Sequence, residues 1–583
     1  MEDRKMNYFL KKTTPSKKGE YLQIYIGEYI PGKGSRNRSY IALGYVSDMI
    51  ADGIADPIAY AEKMVAELNE SKEKNAPQIG ETSVSKNVGH FLLKAMIDRL
   101  SIDSDLAMMT SNRKFQYRFS SFLRAMIYAQ VVDPGSKLMA SERVIPNLYG
   151  CESFSYDQIL DGVTYIGSDY QKFIELFNKH IQDVYPRRTD NVFFDCTNYY
   201  FEIDEEDGLR RKGPSKEKRT SPIVGQALLL DADQIPLGMA LFPGNESEKP
   251  QLRRHIEDIK DRYGVEGRVV QVADKGLNCA TNIYAAVREA DDGYIFSKSV
   301  HGKNLSAVEK EWVLLDNEYN VWVEKRGASG KLVYKYKESS GEDSYTYSFN
   351  DDEGVEQTFT VKEKRVVSYN PSLAAKQRRE IMKEVDKATR NITIKGLTRE
   401  EFGDCAKYVE FEAKGKDGKK AKISPRIRQD KIDEDLRYAG YNLLVTSEVD
   451  KPGDEIYRIY HGLWRIEESF RIMKSYLLAR PAFMRTADGI YGHFTVCYLA
   501  LTVLRLLEIK VFNDELTPGE IIGFIRDYNV TESAKDTYIN NATASSVYRK
   551  IKEVLGLSKL GNLYLTKKNI DNFFKNVDLN TSN

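Results

Sequence analysis

Near residue 191 the hydrophobic period of the chain switches, and that switch restricts the possible folds more than any other feature. From about Ser85 to Val184 apolar residues recur at helical spacing, as in Phe119–Ala129 and Tyr170–Ile181. Beyond it, Asn191–Glu202, Pro222–Leu230 and Ile235–Phe242 read as three strands separated by turn-forming loops. Residues Ser247–Tyr263 then read as a helix, with Ser247 as N-cap and Leu252, Ile256 and Ile259 on one face. A short apolar strand, Arg268–Ala273, ends at Asp274, followed by a helix over Asn278–Ala290 and a fifth strand over Tyr294–Ser297. This β-β-β-α-β-α-β succession predicts a mixed sheet with helices packed on it, in the α/β class.

That order resembles the ribonuclease H-like fold, in which the first and fourth strands carry acids, and Asp195 and Asp274 fall on those two strands. The predicted organisation is a ribonuclease H-like catalytic core, residues 187–300 and 441–528, interrupted by a β-rich insertion domain at 301–440. The insertion is read from short alternating runs such as Leu332–Tyr336, Ser344–Ser348 and Tyr408–Ala413, with turns such as Lys416-Asp417-Gly418 and a helix near Leu373–Thr389. Ahead of the core, an N-terminal β-hairpin and linker (1–84) pairs Tyr21–Ile30 with Ser39–Val46 across a turn at Pro31–Gly34, and is a candidate DNA contact. A helical DNA-binding region is expected at 85–186 and a helical C-terminal region at 529–583, with Asn580–Asn583 as a frayed tail.

With 583 residues the chain exceeds what one hydrophobic core supports, and 41% hydrophobic with 11% aromatic residues excludes wholesale disorder. Basic and acidic residues number 86 each, so any nucleic-acid surface has to be local. Two basic stretches qualify: the first forty residues, with Lys11, Lys12, Lys17, Lys18, Lys33, Arg36 and Arg38, and Arg210–Arg219. A basic run by itself is more often a solvated face than a DNA site. The five cysteines (Cys151, Cys196, Cys279, Cys405, Cys497) contain no CxxC pair, which argues against a disulfide framework or zinc site and for a reducing, cytoplasmic location. The N-terminus lacks the apolar run of a signal peptide. Phe494–Leu507, interrupted by Arg505, is too short for a membrane span and reads as a buried helix, so no membrane partner is expected.

The most informative segment is Tyr457–Leu478. Ile459, Leu463, Ile466, Phe470, Met473 and Leu477 recur at steps of four and three, which defines one buried helical stripe. A second stripe, Tyr460, Trp464, Glu467, Arg471 and Lys474, is offset by about 100° and mixes aromatic, acidic and basic groups. Glu467 falls at the edge of the buried stripe and Glu468 roughly opposite it, so Glu467 is the carboxylate expected to face a cleft. A solvent-side ion pair of Glu467 with Arg471 is the plain alternative. Trp464 is expected to pack against the core rather than to stack on a base. The six histidines show no metal-ligand spacing, and nothing pairs Cys196 or Cys279 with a general base.

Taken together, these residues resemble the DDE transposases of bacterial insertion sequences, in the insertion-sequence family 4 superfamily, and its branch 1634 in particular. That group carries a Y-x2-R-x3-E-x6-K signature, matched here by Tyr460, Glu467 and Lys474, with Leu463 in place of Arg. Phe194-Asp195-Cys196-Thr197, Ala273-Asp274-Lys275-Gly276, Gly244–Glu248 and the basic loop Gly213–Arg219 are similar to further family segments. The resemblance implies Asp195, Asp274 and Glu467 as catalytic residues and as ligands of Mg2+ or Mn2+, with two ions per active site. It implies DNA contacts by Tyr460, Trp464, Arg465, Arg471, Lys474, Lys275, Lys218 and Arg219, and a homodimer pairing two ends of double-stranded DNA. The activity implied is end cleavage followed by strand transfer into target DNA. A related nuclease without strand transfer, and a catalytically inactive DNA-binding descendant, are the alternatives.

Overall fold

The computed structural model describes every residue except 1–5, 17–18, 31–33, 75–83, 218, 264, 266, 302–304, 317–320, 395–398, 415–421, 576, 578 and 580–583. Lys17, Lys18, Lys33, Lys218, most of the Pro31–Gly34 turn, the Lys416–Gly418 turn and the Asn580–Asn583 tail lie outside the described residues. The chain divides into two compact units.

The first unit comprises Met1–Ser85 with Val530–Asn541 and Asn562–Ile570. Its N-terminal sheet has three strands, Met6–Ser16, Gly19–Ile30 and Gly34–Tyr45. The expected hairpin is its second and third strands, and the first escaped notice because its lysines obscure the alternation. Leu22, Met49 and Ala61 form the small core under this sheet. Short strands at Thr537–Asn540 and Tyr564–Thr566 correct the expectation of a purely helical end to the chain.

The second unit holds the rest. Residues 91–184 are helical throughout their ordered elements, in line with the early periodicity. A nine-stranded sheet follows. Its five core strands are Asn191–Tyr200, Ile223–Leu230, Pro236–Pro243, Val270–Ala273 and Gly293–Lys298, called first to fifth below. In space they run third, second, first, fourth, fifth. The first, fourth and fifth are mutually parallel, whereas the first three are joined antiparallel. These strands are buried almost end to end, as expected where helices cover both faces of a sheet. Leu252, Ile256 and Ile259 of the Lys249–Tyr263 helix pack on Val192, Phe194 and Cys196, one face of the first strand.

The region read as a β-rich insertion continues this sheet. The strand that opens the second part of the core, Tyr441–Thr446, pairs with the fifth strand, and from the insertion Lys364–Tyr369 pairs with it in turn, while Leu332–Glu338 and Val323–Arg326 extend the edge. Hairpins Ser344–Asn350/Glu356–Lys362 and Val409–Lys414/Lys422–Ile427 form separate two-stranded sheets, and the helix expected at Leu373–Thr389 spans Pro371–Ile392. Residues 494–507 lie wholly buried at the end of the Ala487–Leu506 helix, and no helix among the described residues is long and apolar enough to cross a membrane.

Candidate active site

Alternation along the first strand sends Phe194 and Cys196 into the core and leaves Phe193, Asp195, Thr197 and Tyr199 on the opposite face. The fourth strand runs parallel beside it with Phe194 opposite Ala273. Asp195 and Asp274 therefore occupy the next level on neighbouring strands, at the carboxyl end of the fourth. Burial raises the Asp195 carboxyl from its ordinary value to about 7, Lys216 and the Cys196 amide oppose the rise, and Glu248 and Asp274 add to it. The Cys196 N–H donates to Asp195 Oδ1 at 2.8 Å. Ser297 Oγ and the Tyr460 hydroxyl both donate to Asp274 Oδ1, at 2.8 and 3.2 Å. Each aspartate thus has one oxygen held by the protein while the other accepts no hydrogen bond among the described residues.

Two glycine-bearing loops complete this floor. Gly213 packs so closely on the Gly244 carbonyl that a Cβ has no room, which brings the Gly213–Arg219 loop against Gly244–Glu248. As a result the Lys216 ammonium lies 3.1 Å from Glu248 and donates to the Cys196 carbonyl. Although burial pulls the other way, Asp195 and Glu248 raise the Lys216 pKa. Lys216, Glu248 and Ser297 are site residues that reasoning on the sequence did not single out. The first two lay in loops already noted, but nothing local says that those loops meet.

The helical wall differs from expectation in continuity. Instead of one helix over Tyr457–Leu478 there are two, Gly453–His461 and Trp464–Arg471, with a wider turn at Ile472–Tyr476. The break falls at Gly462, where a Cβ would stand 3.0 Å from the Phe193 ring and 2.5 Å from Gln234 Nε2. The apolar stripe holds from Leu463 on, with Leu463, Ile466, Phe470, Met473 and Leu477 0–7% exposed, whereas Ile459, before the break, is only half-buried. Along the second stripe, Tyr460 reaches Asp274, and the Lys474 ammonium lies 5.0 Å from the Tyr199 ring centre and 3.8 Å from Glu217. Burial lowers the Lys474 pKa, and Glu217 opposes the shift. Glu467 stands midway between Tyr460 and Lys474 in sequence. Gly462 over Phe193 and Lys474 over Tyr199 bracket the part of the first strand that contains Asp195. Glu467 is exposed and bonded to neither aspartate, and no group of three or more His, Cys, Asp or Glu side chains able to hold a metal ion occurs among the described residues.

Glu468 does not point away from the protein as its spacing suggested. Its side chain is 12% exposed and drawn to Arg505, because a buried guanidinium on the neighbouring helix offers more than solvent does. Trp464 is 44% exposed rather than packed in the core, since it begins a new helix on the Glu467 side, and the Arg465 guanidinium lies 4.6 Å from its ring centre. Arg465 itself is engaged by Glu508 at 2.6 Å and Asp514 at 2.5 Å, and Arg471 by Glu468 at 2.9 Å. Lys275 is exposed next to Asp274. Arg219 and Arg480 lie 4.9 and 3.6 Å from the Tyr200 ring centre. Beyond Tyr200 a cavity of about 900 Å³ is lined by Phe201, Arg210, Arg480, Phe483 and Arg485 among others.

The family model described as "Transposase DDE domain" matches residues 201–503. The match includes Asp274 and Glu467 and begins just after the strand that carries Asp195. Among solved structures, the cryo-EM structure of the piggyBac transposase synaptic complex with hairpin DNA is similar at 10% identity and a TM-score of 0.35, covering 86% of this chain and 90% of that one. No curated protein matches the chain. With a single family domain spanning more than half of its length, the chain belongs to the DDE transposase family.

Proposed function

We propose that the chain is an insertion-sequence transposase with a ribonuclease H-like core, of the family 4 superfamily and its branch 1634, which cleaves the ends of its element and joins them to target DNA. The observation that carries this reading is the aspartate pair on adjacent parallel strands, each with one oxygen held and the other uncommitted among the described residues. The spatial order of the five core strands supports the ribonuclease H-like assignment. In this reading residues 301–440 are an insertion between the Asp274 and Glu467 parts of the core, and residues 1–186 carry DNA-binding elements. Leu463, at the signature's Arg position, is buried, so phosphate contact from that turn falls to other cations.

Hard carboxylate oxygens are donors suited to Mg2+ or Mn2+, and the crowding of Asp195, Asp274 and Glu248 needs positive charge. Asp195, Asp274 and Glu467 would hold two such ions, which when bound activate the attacking oxygen and stabilise the leaving 3′ oxygen. The protein's own part is orientation. Ser297 and Tyr460 fix Asp274, the Cys196 amide fixes Asp195, and Lys474, Lys275, Arg471, Trp464 and Arg219 flank the DNA path. Two copies acting on two ends account for paired cleavage.

The test is incubation with DNA bearing the element's own ends and Mg2+, with cleaved strands mapped and pre-cleaved 3′-OH ends offered for joining. Metal-dependent nicking and joining are expected. Nicking without joining would leave only a nuclease, and no nicking only a DNA-binding protein.

A further inference from the structure

Arg505 lies on the Ala487–Leu506 helix and is 0% exposed. Its five N–H donors are all used. Nε and Nη2 donate to Ser469 Oγ at 3.3 and 2.9 Å, and Nη2 also donates to the Arg465 carbonyl at 3.1 Å. Nη1 donates to Glu468 Oε2 at 3.0 Å and to Glu508 Oε2 at 2.6 Å. All but the last of these end on the Trp464–Arg471 helix.

At about 100° per residue, the bonded positions 465, 468 and 469 share one flank of that helix, and Glu467 lies roughly 150° away from its centre. The apolar stripe of Leu463, Ile466 and Phe470 supplies the third side. The stripe itself forbids a turn of about 100°, which would bury Glu467, Arg471 and Lys474 in place of Ile466, Phe470 and Met473, but apolar packing discriminates poorly between rotations of about 20–30°, which still move the Glu467 carboxylate. Arg505 removes that freedom, because directional bonds to Glu468, Ser469 and the Arg465 carbonyl fix one rotation, in which Glu467 has no partner among the described residues. Setting register is the best-attested use of buried ionic groups.

We infer that Arg505 is a positioning residue: by binding Glu468, Ser469 and the Arg465 carbonyl, it sets the helix rotation that presents Glu467 to the cleft. The inference rests on the metal site proposed above. It predicts that weakening this clamp lowers metal affinity without touching a ligand, as loss of outer-shell support does by about 10–100-fold.

The experiment titrates Mn2+ by calorimetry into the full chain bound to end DNA, and in parallel measures the Mn2+ concentration for half-maximal cleavage. The variants are Arg505→Lys, Glu468→Gln and Glu467→Gln. Leu501→Ala, a buried truncation on the Arg505 helix, controls for lost stability alone. Arg505→Lys and Glu468→Gln are expected to weaken Mn2+ binding and raise the half-maximal concentration about 10-fold, with DNA affinity unchanged, while Leu501→Ala shifts neither. If Arg505→Lys does not fold, Glu468→Gln, which removes only a charge, decides alone. Wild-type Mn2+ affinity in the clamp variants with Glu467→Gln impaired overturns the inference. Wild-type Mn2+ affinity and cleavage in Glu467→Gln instead overturn the site itself.

Discussion

The floor and the wall of the candidate site are held by different physics. On the floor, Asp195 and Asp274 are placed by backbone register between parallel strands, and each carboxylate is gripped at one oxygen. On the wall, Glu467 sits exposed on a short helix whose rotation depends on side chains, from the apolar stripe to the Arg505 bonds. A register is all or none, because a one-residue slip sends a side chain to the other face of the sheet. A helix can turn by degrees. The floor is therefore the intolerant half of the site and the wall the adjustable half.

The sharpest way to break that comparison is to change carboxylate length on both sides. Asp195→Glu and Asp274→Glu are expected to lose more than about 10³-fold in metal-dependent end cleavage, as complete as Asn at either position, with DNA binding by anisotropy preserved. Glu467→Asp should fall only about 10²-fold, the scale of a ~1 Å misplacement that a mobile side chain partly recovers. Equal losses on both sides would mean that the wall is as rigid as the floor.

Lys474 tests whether the wall also serves DNA. Lys474→Ala is expected to weaken end binding about 10-fold and to reduce the salt slope of log K by about 1, the signature of one lost phosphate contact. An unchanged slope would confine Lys474 to its Glu217 and Tyr199 contacts.

Gly462 joins the two halves. Gly462→Ala pushes a methyl toward Phe193 and Gln234 and is expected to cost about 1–3 kcal/mol in chemical denaturation, with cleavage reduced in parallel. A neutral result would show that the wall moves freely over the floor.

A separate effect, on stability alone, is its dependence on pH without metal. The raised Asp195 pKa means that this group's contribution is fully present below its unfolded value near 3.8 and is lost as pH rises through about 7. Asp195→Asn should therefore match wild type near pH 4 and exceed it by about 4 kcal/mol at pH 8, the order expected for a shift of this size. Mg2+ should raise the melting temperature of wild type more at pH 8 than at pH 6. A difference that does not grow with pH would count against a costly buried charge on the floor.

Much of this arrangement was legible in the chain. All five core strands were read within a few residues, because alternation and apolar runs are local signals. The buried stripe of the wall helix was readable for the same reason. The helix break was not, since a glycine inside a helical pattern looks tolerable until a neighbouring strand is known to press on it. Glu468 misled for a related cause: helical spacing knows only one helix, and the partner that draws Glu468 inward is Arg505, far along the chain. The first strand of the N-terminal sheet was hidden by its lysines although it pairs with the next strand, and the strands near the C-terminus by polar composition and a partner more than twenty residues away.

By itself, then, the sequence determined which residues alternate, which recur at helical spacing, and which acids border apolar strands, since these depend on near neighbours. Only the tertiary structure decided that Asp195 and Asp274 share one level of a parallel pair, that the Lys216 and Glu248 loops close on each other, and that Arg505 draws Glu468 inward. Those outcomes depend on contacts between segments distant in the chain, and backbone register and buried polar pairing operate across such distances without leaving a local period.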